Sequence, residues 1–212
     1  MPLVSVDSEI MPENGNAPPQ GPDEMSDTAA PPIRLLFRPR KALAAISLML
    51  RWAREDGRGE ADLHTLLKAC YFADKAHLNA HRRPVFGATY RAMAYGPVPL
   101  EVYEMLKGEI YWLPEIGRND YPWHRSGHHI VPTTDAVVDA SSLSPSEEAA
   151  LRDGFARALS LIFNERTAES HDIAWQRARN GLMSYADMVE PDNPDREAIL
   201  DALYEDGHRW MA

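Results

Sequence analysis

The chain has 212 residues, 44% hydrophobic and 25% charged, which suits one domain with an appendage. Its formal charge of −10 is a poor electrostatic match for a phosphate backbone and disfavours nucleic acid as a partner. A single cysteine, Cys70, excludes an intramolecular disulfide and a cysteine-built zinc cage, and no apolar run approaches the roughly 20 residues of a membrane span.

Residues 1–32 hold seven prolines and six acids (Asp7, Glu9, Glu13, Asp23, Glu24, Asp27), with no Lys or Arg and no helical or strand period. This composition predicts a disordered, acidic, Pro-rich tail. The tail is expected to reach residue 38, with the folded domain at 39–212. No basic stretch leads into an apolar one, so the start does not read as a secretory signal, and the expected location is the cytoplasm. Met25 offers an alternative start. The other 180 residues are only mildly acidic, with 22 basic against 26 acidic groups.

A first helix is predicted from Pro39, with Leu43, Ile46, Leu50 and Ala53 at helical spacing and Gly57 and Gly59 ending it. A second, over about 61–81, puts Leu63, Leu66, Leu67, Cys70, Tyr71 and Leu78 on one face when residues are placed about 100° apart. Asp74 falls within that face, flanked by His77 and His81. Lys68 and Lys75 point the other way, toward solvent, and so does Phe72, which is unusual for a phenylalanine. Residues 89–95 lean toward a strand, for which 123–134 is the nearest partner. That later segment reads as short extended pieces around a Ser-Gly turn.

Between them lies Tyr95-Gly96-Pro97-Val98-Pro99, from which a helix over about 99–107 starts at once and closes at Gly108. The prolines fix φ and push Gly96 and Val98 toward extended backbone. Pro99 then suits a helix start, with Glu101 favourable in the first turn. The stretch is a rigid corner, and Tyr95, Val98 and Tyr103 around it, with Phe72, are candidate anchors for a protein partner. Ile110–Ile116 is ambiguous. Ser144, Pro145 and Glu147 form a capping-box start for a helix. A further helix is expected over roughly 168–179 and a last one after Asn193-Pro194. The whole reads as a mostly α chain with a small β-hairpin or three-stranded sheet (α+β), one compact helical domain.

Chemistry is sparse. Asp74, His77 and His81, at i, i+3 and i+7, share a helix face and suit an acid/base pair or a metal. The favoured reading is structural, with Asp74 satisfying backbone N–H groups of a neighbouring loop. His124, His128 and His129 form a second group, but a strand sends 128 and 129 to opposite faces and no metal-ligand pattern accompanies them. No phosphate loop, dinucleotide fingerprint or nucleophile elbow is present. Cys70 lies on an apolar face and reads as packed. No catalytic residue, metal or cofactor is expected.

Leu66–Leu78 (LLKACYFADKAHL) followed by Arg82–Gly108 (RRPVFGATYRAMAYGPVPLEVYEMLKG) resembles the Panacea domain of SocA-like antitoxins. Lys68, Tyr71, Phe72, Ala73, Asp74, His77 and Leu78 occupy the helix positions of that family's pattern. Arg83-Pro84 and Tyr95 to Pro99, with Gly96 and Pro97 among them, occupy the later ones. Arg82 stands where the family often has glycine. His171 and Trp175 resemble its H-x-x-x-W helix. The resemblance spans about residues 40–205. It implies a non-enzymatic antitoxin that neutralises a cognate toxin encoded beside it, with a SocA-type mode in which the toxin is delivered to a Clp-type protease, and links to phage and mobile elements. Two other readings stay open. One is a DNA-binding autoregulator using Arg34, Arg38, Arg40 and Lys41, and the other is a metal-assisted enzyme using Asp74 and the histidines.

Overall fold

The structure, a computed structural model, describes residues 33–133 and 140–208. The expected tail over 1–32 and the end of the 123–134 segment lie outside them. Packing starts before Pro39. Residues 33–38 run over the surface of the domain, Phe37 is buried edge-on against Trp112 at 4.9 Å, and the Arg38 amide donates to Phe86 O at 2.9 Å.

Helix α1 (Pro39–Glu55) opens on its proline and buries Ala42, Ala45, Ile46, Met49, Leu50 and Ala53 before Gly57 turns the chain at φ +77°. A two-residue strand β1 (Ala61–Asp62) leads into α2 (Leu63–His81), where the Asp62 carboxylate caps the Thr65 amide at 2.8 Å. This helix is buried on most of its circumference and forms the axis of the domain.

Strand β2 (Tyr90–Met93) does not pair with the 123–134 segment. Its partner is β3 (Gly96–Pro99), the Gly-Pro-Val-Pro stretch itself, in a hairpin closed at Met93↔Gly96 across Ala94 and Tyr95. The two prolines are tolerated because of register. A two-residue hairpin closes on a hydrogen-bonded pair, so the alternation puts Pro97 opposite Ala92 and Pro99 opposite Tyr90 at positions that donate nothing to the ladder. On its far edge β2 bonds to residues 181–183, through Ala92 N to Gly181 O and Met183 N to Tyr90 O.

Pro99 then caps α3 (Leu100–Lys107), and Glu101 accepts from the Thr89 amide at 2.7 Å. A 3-10 turn (Ile110–Trp112) and α4 (Leu113–Ile116) resolve the ambiguous stretch as helical. Strands β4 (Trp123–Ser126) and β5 (His129–Pro132) form the expected Ser-Gly hairpin, extended by β1 into a sheet of order β1-β5-β4.

The capping box starts α5 (Pro145–Ser160), with Ser144 Oγ accepting from the Glu147 amide and Glu147 Oε2 accepting from the Ser144 amide. The helix expected over 168–179 is in fact two, α6 (Phe163–Ser170) and α7 (Ile173–Ala178), broken where Asp172 turns out of the first and caps the second. Short α8 (Tyr185–Met188) and long α9 (Arg196–His208) complete the described residues. One contiguous apolar cluster runs through these elements. The fold is α+β and mostly helical. Among the described residues, no helix is long and apolar enough to cross a membrane.

Candidate functional site

One stripe of α2 carries His64, Lys68, Tyr71 and Lys75 at i, i+4, i+7 and i+11. Lys68 does not face solvent. Its side chain is 1% exposed and its Nζ donates to Pro97 O at 2.8 Å. Two other side chains do the same for neighbouring carbonyls of the hairpin. His64 Nε2 bonds Tyr95 O at 3.2 Å and Trp175 Nε1 donates to Met93 O at 2.9 Å. The carbonyls of 93, 95 and 97 are therefore each held by a side chain from α2 or α7. This explains the glycine between the aromatic and the proline. Gly96 has φ +95°, and a Cβ there would run into Ser170 Oγ and stand 3.0 Å from Lys68 Cε and Nζ.

Burial, helped by the Arg166 cation, pushes the Lys68 ammonium well below its ordinary range. Burial, then Lys68 and Arg166, take His64 down to about 3. Burial and Lys68 also lower His171, whose ring stacks on Trp175 at 3.6 Å and 8°. Side-chain donors on three carbonyls fix the geometry of the corner. Asp172 ties the clamp to the helix break. Its carboxylate accepts from Tyr71 Oη at 2.7 Å and Lys75 Nζ at 2.8 Å while capping Ala174 and Trp175.

Asp74 and His77 have the backbone-satisfying role. Asp74 Oδ1 accepts from the amides of Val85 and Phe86 at 2.7 and 3.0 Å, and Oδ2 lies 3.0 Å from Tyr90 Oη. Burial raises its pKa to about 7 against those bonds. The neutral acid fits as well, because Tyr90 Oη also reaches Cys70 O at 3.3 Å and can accept a hydrogen bond from protonated Asp74 while donating there. His77 Nδ1 bonds Arg83 O at 2.7 Å and Nε2 lies 3.1 Å from Ser146 Oγ. Nearby, fully buried Glu147 accepts from Lys41 and Arg83. His81 is exposed, with its ring tilted 36° against that of His77 at 4.5 Å, and Cys70 is buried. His124, His128 and His129 are exposed, with His129 3.7 Å from Glu60. Among the described residues, no group of three or more His, Cys, Asp or Glu is placed to hold a metal ion.

The candidate partner anchors separate. Val98 and Tyr103 are 1% and 3% exposed, so both belong to the core and neither reaches a partner surface. Phe72 and Tyr95 are half-buried. Tyr95 lies beside Phe163 at 5.4 Å, while Phe72 sits two turns further along α2 than His64, in a groove of about 480 Å³. Tyr71, Ala76 and Gly154 line that groove with it, and Lys75, Asp153, Arg157, Glu169, Asp172 and Glu190 form its rim. Sequence reasoning missed His64 and Arg166 and saw Glu147 only as a capping residue. Only Glu147 carried a local signal, its place in the capping box.

A family model for "antitoxin SocA-like, Panacea domain" matches residues 66–176, just over half of the chain. No curated protein and no solved structure matches. The matched stretch contains Lys68, the whole β2–β3 hairpin, Asp172 and Trp175, the main parts of the clamp.

Proposed function

The chain belongs to the family of SocA-like antitoxins with a Panacea domain, and from that premise we propose that it binds and neutralises a toxin encoded by a neighbouring gene. The single observation behind this reading is that the family match takes in both sides of the hairpin clamp, from Leu66 to Gln176. The clamp is a device for rigidity. Three side-chain donors, two prolines and a sterically enclosed glycine hold one corner of the molecule, and a preorganised surface loses less entropy on binding. Phe72 and Tyr95 are the half-buried aromatic groups that such a surface offers a partner. The role is non-enzymatic, with no cofactor, in the cytoplasm.

A SocA-type mode, with the chain delivering its toxin to a Clp-type protease, is part of the proposal. Tagged full-length chain, expressed with the adjacent gene, tests both parts. The adjacent product is expected to co-purify in stoichiometric amount, and its half-life to lengthen when the protease is deleted. Failure to co-purify overturns the antitoxin reading. A complex with an unchanged half-life overturns the delivery mode alone.

A further inference from the structure

We infer that the groove over Phe72 receives a basic segment of the partner, an apolar side chain flanked by Lys or Arg. This rests on the antitoxin reading and deepens it by naming the surface and the chemistry that fits it.

The floor and the rim differ in character. Phe72 and the ring of Tyr71 make an apolar floor beside exposed Ala76 and the polar Asn79, and Gly154 lets α5 press onto α2 so closely that a Cβ there would stand 2.8 Å from Ala69 O. The rim carries four acids, Asp153, Glu169, Asp172 and Glu190, against two bases, Lys75 and Arg157. Both bases are already engaged. Lys75 Nζ sits 2.8 Å from Asp172 and 2.8 Å from Glu190, and Arg157 Nε donates to Glu169 at 2.8 Å. Asp172 is further satisfied by Tyr71 and by the α7 amides. The two surplus negative charges therefore fall to exposed Asp153 and to Glu190, whose side chain is 47% exposed. An apolar hollow with a net negative rim selects a hydrophobic residue between cations and repels an acidic segment. The chain's own formal charge of −10 makes a second copy a poor occupant.

The test uses purified full-length chain and the purified product of the adjacent gene, with affinity measured at about 50 and 200 mM salt. Phe72→Ala is expected to weaken binding about 30-fold, as a central aromatic anchor does. Asp153→Lys lies on the solvent side and leaves the fold intact, so it decides the matter even if Phe72→Ala unfolds. It is expected to weaken binding about tenfold at low salt and to reduce the salt dependence. Tyr111→Ala, an exposed aromatic outside the groove, is expected to stay within about twofold. If the wild type binds and both groove variants bind equally well, the inference is overturned while the antitoxin reading stands. If the wild type does not bind, the antitoxin reading itself fails. A wild type that is dimeric by light scattering and becomes monomeric with Phe72→Ala would assign the groove to a second copy and overturn the inference.

Discussion

Gly96→Ala probes the clamp at its tightest point. The residue has φ +95°, where an L side chain costs about 1–2 kcal/mol. The new Cβ would also collide with Ser170 Oγ and stand 3.0 Å from Lys68 Cε and Nζ. Ser170 Oγ donates to Thr167 O at 2.9 Å and Lys68 Nζ to Pro97 O at 2.8 Å, so moving either side chain sacrifices a buried hydrogen bond worth about 1 kcal/mol. With an overpacking cost of about 1–3 kcal/mol, the total comes to roughly 3–6 kcal/mol, a large part of a domain's usual 5–15. Gly108→Ala supplies the control. It shares a positive φ, +87°, but nothing lies within 4 Å of its missing Cβ, so only the backbone cost of about 1–2 kcal/mol applies. Urea unfolding followed by tryptophan fluorescence measures both, and adding Ser170→Ala to Gly96→Ala should recover about 1–2 kcal/mol. If Gly96→Ala costs no more than Gly108→Ala, the hairpin is not pressed against Lys68 and Ser170 as described.

Burial raises Asp74 to about 7, so between about pH 4 and 7 the folded acid holds a proton that the unfolded one has lost. Stability from this group is full below about pH 4 and is lost as pH rises from there to about 7, by roughly 4 kcal/mol at most, and chemical denaturation of Asp74→Asn across that range should lack this slope. Glu147 behaves in the opposite sense. Burial alone would raise it, but Lys41, the Ser144 amide and Arg83 bring it down to about 2, so its contribution is lost as pH falls from about 4.5 toward 2, and Glu147→Gln should remove that acid dependence. Gly154→Ala places a Cβ 2.8 Å from Ala69 O and 2.9 Å from Ala73 N, both on the α2 backbone. Overpacking should outweigh the helix-propensity gain of about 1 kcal/mol and leave a net loss of about 1–2 in thermal melts. Asp172→Ala removes the α7 cap and the bonds to Tyr71 and Lys75 together, for a loss of about 2–3 kcal/mol, whereas Asp172→Asn keeps the cap and should lose about 1.

Features decided by local physics were readable from the residues. The proline starts of α1 and α5, the capping box at Ser144 and the Ser-Gly hairpin all follow from neighbouring side chains. The backbone-satisfying role of Asp74 followed from a carboxylate on an apolar face. Lys68 was misplaced because helical periodicity gives a direction and says nothing about what stands in it. The hairpin covers that side of α2 and supplies Pro97 O as an acceptor. The partner of β2 was missed because a Gly-Pro-Val-Pro run looks hostile to a ladder until the register shows that neither proline is asked to donate. The break at Asp172 did carry a local signal, an aspartate in N-cap position three residues before Trp175. Val98 and Tyr103 read as candidate partner anchors from their place beside a rigid corner, and the core claims both.

Growth of cells in which the adjacent gene is induced, with and without this chain, tests the antitoxin assignment most directly. The account predicts arrest when the neighbour is expressed alone and restored growth when the full-length chain is supplied with it. A neighbour that is harmless alone, or whose toxicity is unchanged by this protein, would contradict it.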